Sequence, residues 1–151
     1  MANTQAVCSS FKRDLLNGLH AFGTTVARGG TTKDDFKAAL YLASATINGS
    51  TTTYTATGEI SSGGYTAGGL AVTNATAPTL DSTTAHWTPS AALAWTGLTV
   101  TAMDCMMLYN DTSASDLSCA VFTFGSTTLT AGDFQLNMPT NDGTTGLIRL
   151  A

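Results

Sequence analysis

LTVTAMDCMMLYN (98–110), DTSASD (111–116) and LSCAVFTF (117–124) form the stretch that decides how this chain is read. The outer pieces read as strands and the middle piece as the loop joining them. Side chains alternate along a strand, so Leu98, Val100, Ala102, Met106 and Leu108 fall on one face. Met103, Cys105, Met107 and Tyr109 fall on the other. In the second strand Ala120, Phe122 and Phe124 oppose Cys119 and Val121. A strand that is apolar on both faces is covered on both, which places the pair mid-sheet inside a sandwich. Asp111, Ser113, Ser115 and Asp116 suit the loop, because their short polar side chains bond nearby backbone.

Downstream, Thr127–Gly132 reads as a turn and Asp133–Met138 as a strand with Phe134, Leu136 and Met138 inward. Asn141-Asp142-Gly143 turns the chain into a last strand, Gly146–Ala151. Upstream, Leu70–Ala75, Thr79–Ala85 and Trp87–Trp95 read as weak strands, and Pro78 and Pro89 give them edge positions. Phe36–Ile47 is rich enough in Ala and Leu for a helix, yet its alternation reads as a strand, followed by a turn at Asn48-Gly49-Ser50. Thr52–Ser61 is a short strand or an extended segment, and Thr24–Asp35 a loop tipped by Gly29-Gly30. Ser10–Phe22 is the one convincing helix: Phe11, Leu15, Leu19 and Phe22 make an apolar stripe, Ser9 or Ser10 caps it, and Gly23 stops it. Gly18 weakens that helix slightly. The pattern predicts one domain over residues 1–151, mainly β, a β-sandwich or jelly roll of roughly eight strands with one short N-terminal helix.

The composition narrows the functional classes. The chain has 151 residues, 43% of them hydrophobic and only 11% charged, where an average soluble domain carries about 25%. Threonine replaces charge, with 29 copies, and its β-branch suits strands. A net charge of −4, with no basic cluster beyond Lys12-Arg13, argues against nucleic acid as a partner. No apolar run approaches the roughly 18 residues of a membrane helix, and MANTQAVCSS does not read as a secretion signal. The Met1–Gln5 tail reads as an arm able to order on docking. Weak charge repulsion between copies suits a subunit of an assembly.

No catalytic, cofactor or metal site emerges. Cys8, Cys105 and Cys119 lack metal-ligand spacing and read as buried thiols, with Cys105 and Cys119 placed on paired strands where a disulfide is the alternative. Gly63-Gly64 and Gly68-Gly69 could cradle phosphate, but no helix follows them, so they read as turns. His20 and His86 have no second ligand at metal spacing, and no nucleophile elbow accompanies the serines. Asp34-Asp35 and Asn141-Asp142-Gly143 lack the alternating ligands of a calcium loop. Asp104, alone among apolar neighbours, reads as facing solvent or a subunit boundary, with a functional acid as the alternative and Arg149 as its partner if it meets a neighbour. Trp87, Trp95, Tyr54 and Tyr65 could stack sugars or pack internally. Asn48, Asn74 and Asn110 open glycosylation triplets that a threonine-rich chain produces by chance.

FKAALYLASATI (36–47), TTTYTATGEISSGGYTAGG (51–69), AMDCMMLYN (102–110) and AVFTFGSTTLTAGDFQLNMPTNDGTTGLIRLA (120–151), behind a short helix, resemble small virion structural proteins of tailed bacteriophages, of the capsid decoration or cement type. The resemblance covers most of the chain and rests on turn and core positions. It implies a β-rich, non-enzymatic module without cofactor that binds the phage major capsid protein on the outer surface of the virion and self-associates as a dimer or trimer. A tail, neck or fibre-base component and a lectin-like binding module are the alternatives.

Overall fold

The computed structural model describes residues 2–24, 33–61 and 63–151; the predicted glycine tip at 29–30 lies outside them. The fold is mainly β, with one short N-terminal helix and two antiparallel sheets. The elements in order are β1 (Ala6–Val7), α1 (Ser9–Leu16), β2 (Phe36–Leu42), β3 (Leu70–Ala71), β4 (Thr79–Asp81), β5 (Thr84–Trp87), β6 (Leu93–Asn110), β7 (Leu117–Leu136) and β8 (Ile148–Leu150). One sheet has the order β1-β7-β6-β2-β3 and the other β4-β5-β8.

The β6–β7 hairpin dominates, and it is longer than its sequence suggests. β6 begins at Leu93, just after Pro89 has ended β5. β7 runs unbroken from Leu117 to Leu136, so 127–132 does not reverse the chain and 133–138 is not a separate strand. Glycine, serine and threonine there serve bulges, which use the same residue types as turns. The β6–β7 register shifts between Trp95 and Leu98, again before Val100, Met103 and Cys105, and between Leu108 and Tyr109. Gly97, Ala102, Gly125 and Ala131 have φ of 65°, 56°, 83° and 46°. These irregularities bend the ribbon sharply. Phe124 and Phe134 bring their ring centroids within 5.0 Å, although ten residues of straight strand span about 33 Å.

The bulge at Ala102 also reverses the alternation. Ala102 is half-buried, and Met103 takes the inward place that strict alternation would give it. Beyond it, Met103 and Cys105 to Asn110 are buried on both faces, between β7 on one side and β2 on the other. Leu93–Thr101 buries only Leu93, Trp95, Leu98 and Val100 and exposes the rest.

The helix is shorter than its apolar stripe. Cys8, not a serine, is its N-cap and makes no side-chain capping bond. It ends at Leu16 with Asn17 as its C-cap, and Gly18 just beyond adopts φ 66°. Leu19 N–H donates to Asp14 O at 2.8 Å and Gly18 N–H to Leu15 O at 2.9 Å, the paired bonds of a Schellman motif. The chain therefore turns before Leu19, which is left 46% exposed, while Phe22 stacks on Phe36 with centroids 4.2 Å apart.

Candidate functional site

A dense polar cluster surrounds Glu59, a carboxylate only 6% exposed. All four tyrosines gather there. Tyr54 donates to Glu59 Oε2 at 2.5 Å, and Tyr65 and the Gly68 N–H donate to Oε1 at 2.7 and 2.8 Å. Tyr65 accepts the Leu40 N–H at 2.9 Å, Tyr109 donates to Gly68 O at 2.8 Å, and Tyr41 donates to Thr55 O at 2.7 Å. Burial pushes every one of these phenols upward, Tyr54 to about 12. A buried carboxylate persists when several donors surround it; here they fasten segment 52–69 onto β2 and β6. The sequence places Glu59 in a turn-rich motif between Tyr54 and Tyr65 and gives no sign of this role.

The glycine doublets are turns, as read, with a packing reason. A Cβ on Gly69 would stand 1.9 Å from Ala38 O and one on Gly63 2.3 Å from Thr99 O. Both are points where backbone meets backbone, and β3 rather than a helix follows them.

The histidines lie in separate places. His86 is buried on β5, with Nδ1 3.0 Å from Asn141 Oδ1 and Nε2 3.1 Å from Thr79 Oγ1 and 3.3 Å from Asp81 Oδ2. Asp81 also accepts the Gly143 N–H at 2.8 Å, so this group ties β4 to the turn before β8. His20 Nδ1 lies 3.8 Å from Cys119 Sγ and 3.1 Å from Asn110 Nδ2. A cysteine nucleophile needs a lowered thiol and a protonated imidazole beside it. Burial does the reverse: it raises Cys119 well above the usual range and lowers His20. Cys119 is fully buried, so no substrate reaches it. Among the described residues no three His, Cys, Asp or Glu side chains converge as metal ligands, and no helix is long and apolar enough to cross a membrane.

The remaining candidates have structural partners. Asp104 accepts from Asn3 Nδ2 and not from Arg149, whose guanidinium donates to Thr144 O. Asn3 Oδ1 also accepts the Ile47 N–H at 2.9 Å, so the predicted arm, from Ala2 onward, is docked on its own chain; Met1 lies outside the described residues. Cys105 sits opposite Thr123, whereas Cys119 O accepts the Cys8 N–H at 3.0 Å; all three thiols are free. Asp34 Oδ2 accepts from Ala21 N–H and Asn110 Nδ2, both at 2.7 Å. Trp87 and Trp95 are buried, so neither offers a face for sugar stacking; Trp87 Nε1 donates to Asn74 Oδ1 at 2.9 Å. The amides of Asn74 and Asn110 are buried in such bonds, which removes them as glycan acceptors.

The bent ribbon also has an exposed side. Its solvent-facing positions include Thr96, Thr99, Thr101, Ser126, Thr128 and Thr130. Asp133 is the one charged residue there, and its Oδ1 accepts the Gly97 N–H at 3.0 Å. Thr99 Oγ1 accepts the Ala131 N–H at 3.0 Å and Thr128 Oγ1 the Ala102 N–H at 3.1 Å. Part of the hydroxyl supply thus satisfies bulged backbone, and the rest faces outward. Comparison with known proteins finds no matching family model, no similar curated protein and no similar solved structure.

Proposed function

We propose that the chain is a structural protein of a tailed-bacteriophage virion, a capsid decoration protein that clamps the mature shell. The observation that carries this reading is the outer side of the β6–β7 ribbon, rich in hydroxyls and nearly without charge. Threonine hydroxyls both donate and accept, so such a surface matches neighbouring backbone and side chains without paying to desolvate ions. The sequence resemblance points to the same class. Under this reading the two sheets face each other as a jelly-roll-type sandwich. A single cleft of about 630 Å³ bordered by Val7, Val121, Thr84 and Arg149, from both sheets, supports that arrangement.

A decoration protein stabilises the expanded shell because it binds joints that exist only there. Many copies, each with an interface of moderate size, supply the effect. Purified protein is expected to co-sediment with expanded heads and to ignore free coat subunits. Equal binding to both defeats the proposal. A tail or neck location would instead give six or twelve copies per particle, on the order expected from axial symmetry.

A further inference from the structure

Two cysteines meet where the N-terminal strand joins β7. β1 pairs with β7 as Ala6 against Val121 and Val7 against Ala120, and the next step of that register sets Cys8 against Cys119. Cys8 keeps extended backbone, and its N–H donates to Cys119 O at 3.0 Å, which carries the ladder one residue past β1. On its other side Cys119 is the residue that the β6–β7 register passes over, since Leu108 faces Ala120 and Tyr109 faces Ser118. Directly opposite residues of such a pair project to one face with Cα atoms about 5.5 Å apart. A disulfide spans roughly 4.4–6.8 Å between Cα atoms. Both side chains are fully buried. Cys8 Sγ lies 3.9 Å from Asn48 O, and Cys119 Sγ 3.8 Å from Leu117 O and from His20 Nδ1. Sulfur hydrogen bonds of this kind are weak, so they do little to hold the sulfurs apart. Burial raises both thiols, and the nearness of Cys8 is the second contribution to the rise of Cys119.

We infer that Cys8 and Cys119, both free thiols in this structure, are a disulfide site that closes by exchange with a small-molecule disulfide. Cys8 loses its proton to water and attacks one sulfur of that molecule. The small S–S bond breaks, a mixed disulfide forms on Cys8, and one small thiolate leaves and takes up a proton. Cys119, deprotonated in turn, attacks the Cys8 sulfur and expels the second small thiolate. Two protein thiols are oxidised, and one small disulfide is reduced to two thiols. The closed fold resists this, because both thiols are covered and raised. The way in is the sheet margin. β1 is two residues long and forms the edge of its sheet, so lifting it uncovers both sulfurs together. Once formed, the bond fastens that edge to β7 and closes a loop over most of the chain, the case in which a crosslink restricts the unfolded state most. Cys105 faces Thr123 on β7 and takes no part. The inference holds whether or not the chain attaches to a capsid.

Incubation of the full, folded chain with oxidised glutathione tests it, followed by alkylation, intact mass and peptide mapping. The expected product is lighter than the reduced chain by two hydrogen atoms, with Cys8 joined to Cys119 and Cys105 alkylated once the chain is unfolded. Its thermal midpoint should rise and return on treatment with dithiothreitol. Each variant is compared with its own reduced form, so a change in basal stability does not obscure the result. Cys8→Ser should abolish both the mass loss and the rise, and Cys105→Ser should leave both intact. A chain that stays reduced, that stops at a glutathione adduct, that pairs through Cys105, or whose midpoint does not rise on closure overturns the inference.

Discussion

Ala102 and Ala131 hold left-handed backbone, φ 56° and 46°, where glycine is the usual occupant. Each costs on the order of 1 kcal/mol in steric strain. The amide of each is satisfied by a threonine on the facing strand. Ala131→Gly removes the strain but loosens the unfolded chain, so it should change stability by no more than about 1 kcal/mol and in the stabilising direction. Urea unfolding measures this; a loss of stability would mean the bulge is not strained. Glu59 works at the same scale with the opposite sign. Glu59→Ala strands two phenols and the Gly68 amide, at a cost of about 3 kcal/mol or more, and Glu59→Gln should cost less because an acceptor remains. Equal stability of Glu59→Ala and the natural chain would remove the cluster as a structural anchor. Neither feature was legible beforehand. Nothing in the string marks an alanine that will adopt positive φ, and a lone glutamate among threonines reads as surface.

Elements were legible where apolar residues run without a break between turn residues. β2 and the inner halves of β6 and β7 are apolar on both faces, and their strand character could be read directly. The outer half of β7 was not readable, since a bulged bend and a turn draw on the same glycine and threonine vocabulary. The helix was found but overrun, because Leu19 and Phe22 continue its spacing after Gly18 has stopped it. Gly18→Ala places a Cβ in the left-handed position of the Schellman turn and should cost about 1 kcal/mol, read from the thermal midpoint. The tyrosine cluster gives a prediction for pH. Its phenols are raised above their ordinary value of 10.0, Tyr54 to about 12, so the folded state keeps protons that the unfolded state releases. Stability should hold below pH 10.0 and fall as pH rises toward 12. Tyrosinate absorbance rising well before unfolding would contradict this.

At the scale of the whole molecule, several of the few charges among the described residues are held within the fold or by one another. Asp104, Asp34, Glu59 and Asp133 each hold a neighbouring amide or hydroxyl, and Lys37 pairs with Asp111 at 3.0 Å. The outward ribbon keeps threonine. Thr101→Lys and Thr130→Lys lie at exposed positions that hold no backbone amide, so they should leave stability within about 0.5 kcal/mol. If the proposed function holds, they should weaken binding to expanded heads by the cost of burying an unpaired ammonium. Composition alone suggests an assembly subunit, whereas the face that the proposed function uses depends on a bend the sequence did not reveal. Cryo-microscopy of virions purified from the source of this sequence tests the proposed capsid role most directly. The account predicts density for the bent β6–β7 ribbon seated on the outer shell at every equivalent coat joint; particles that lack the protein altogether would contradict it.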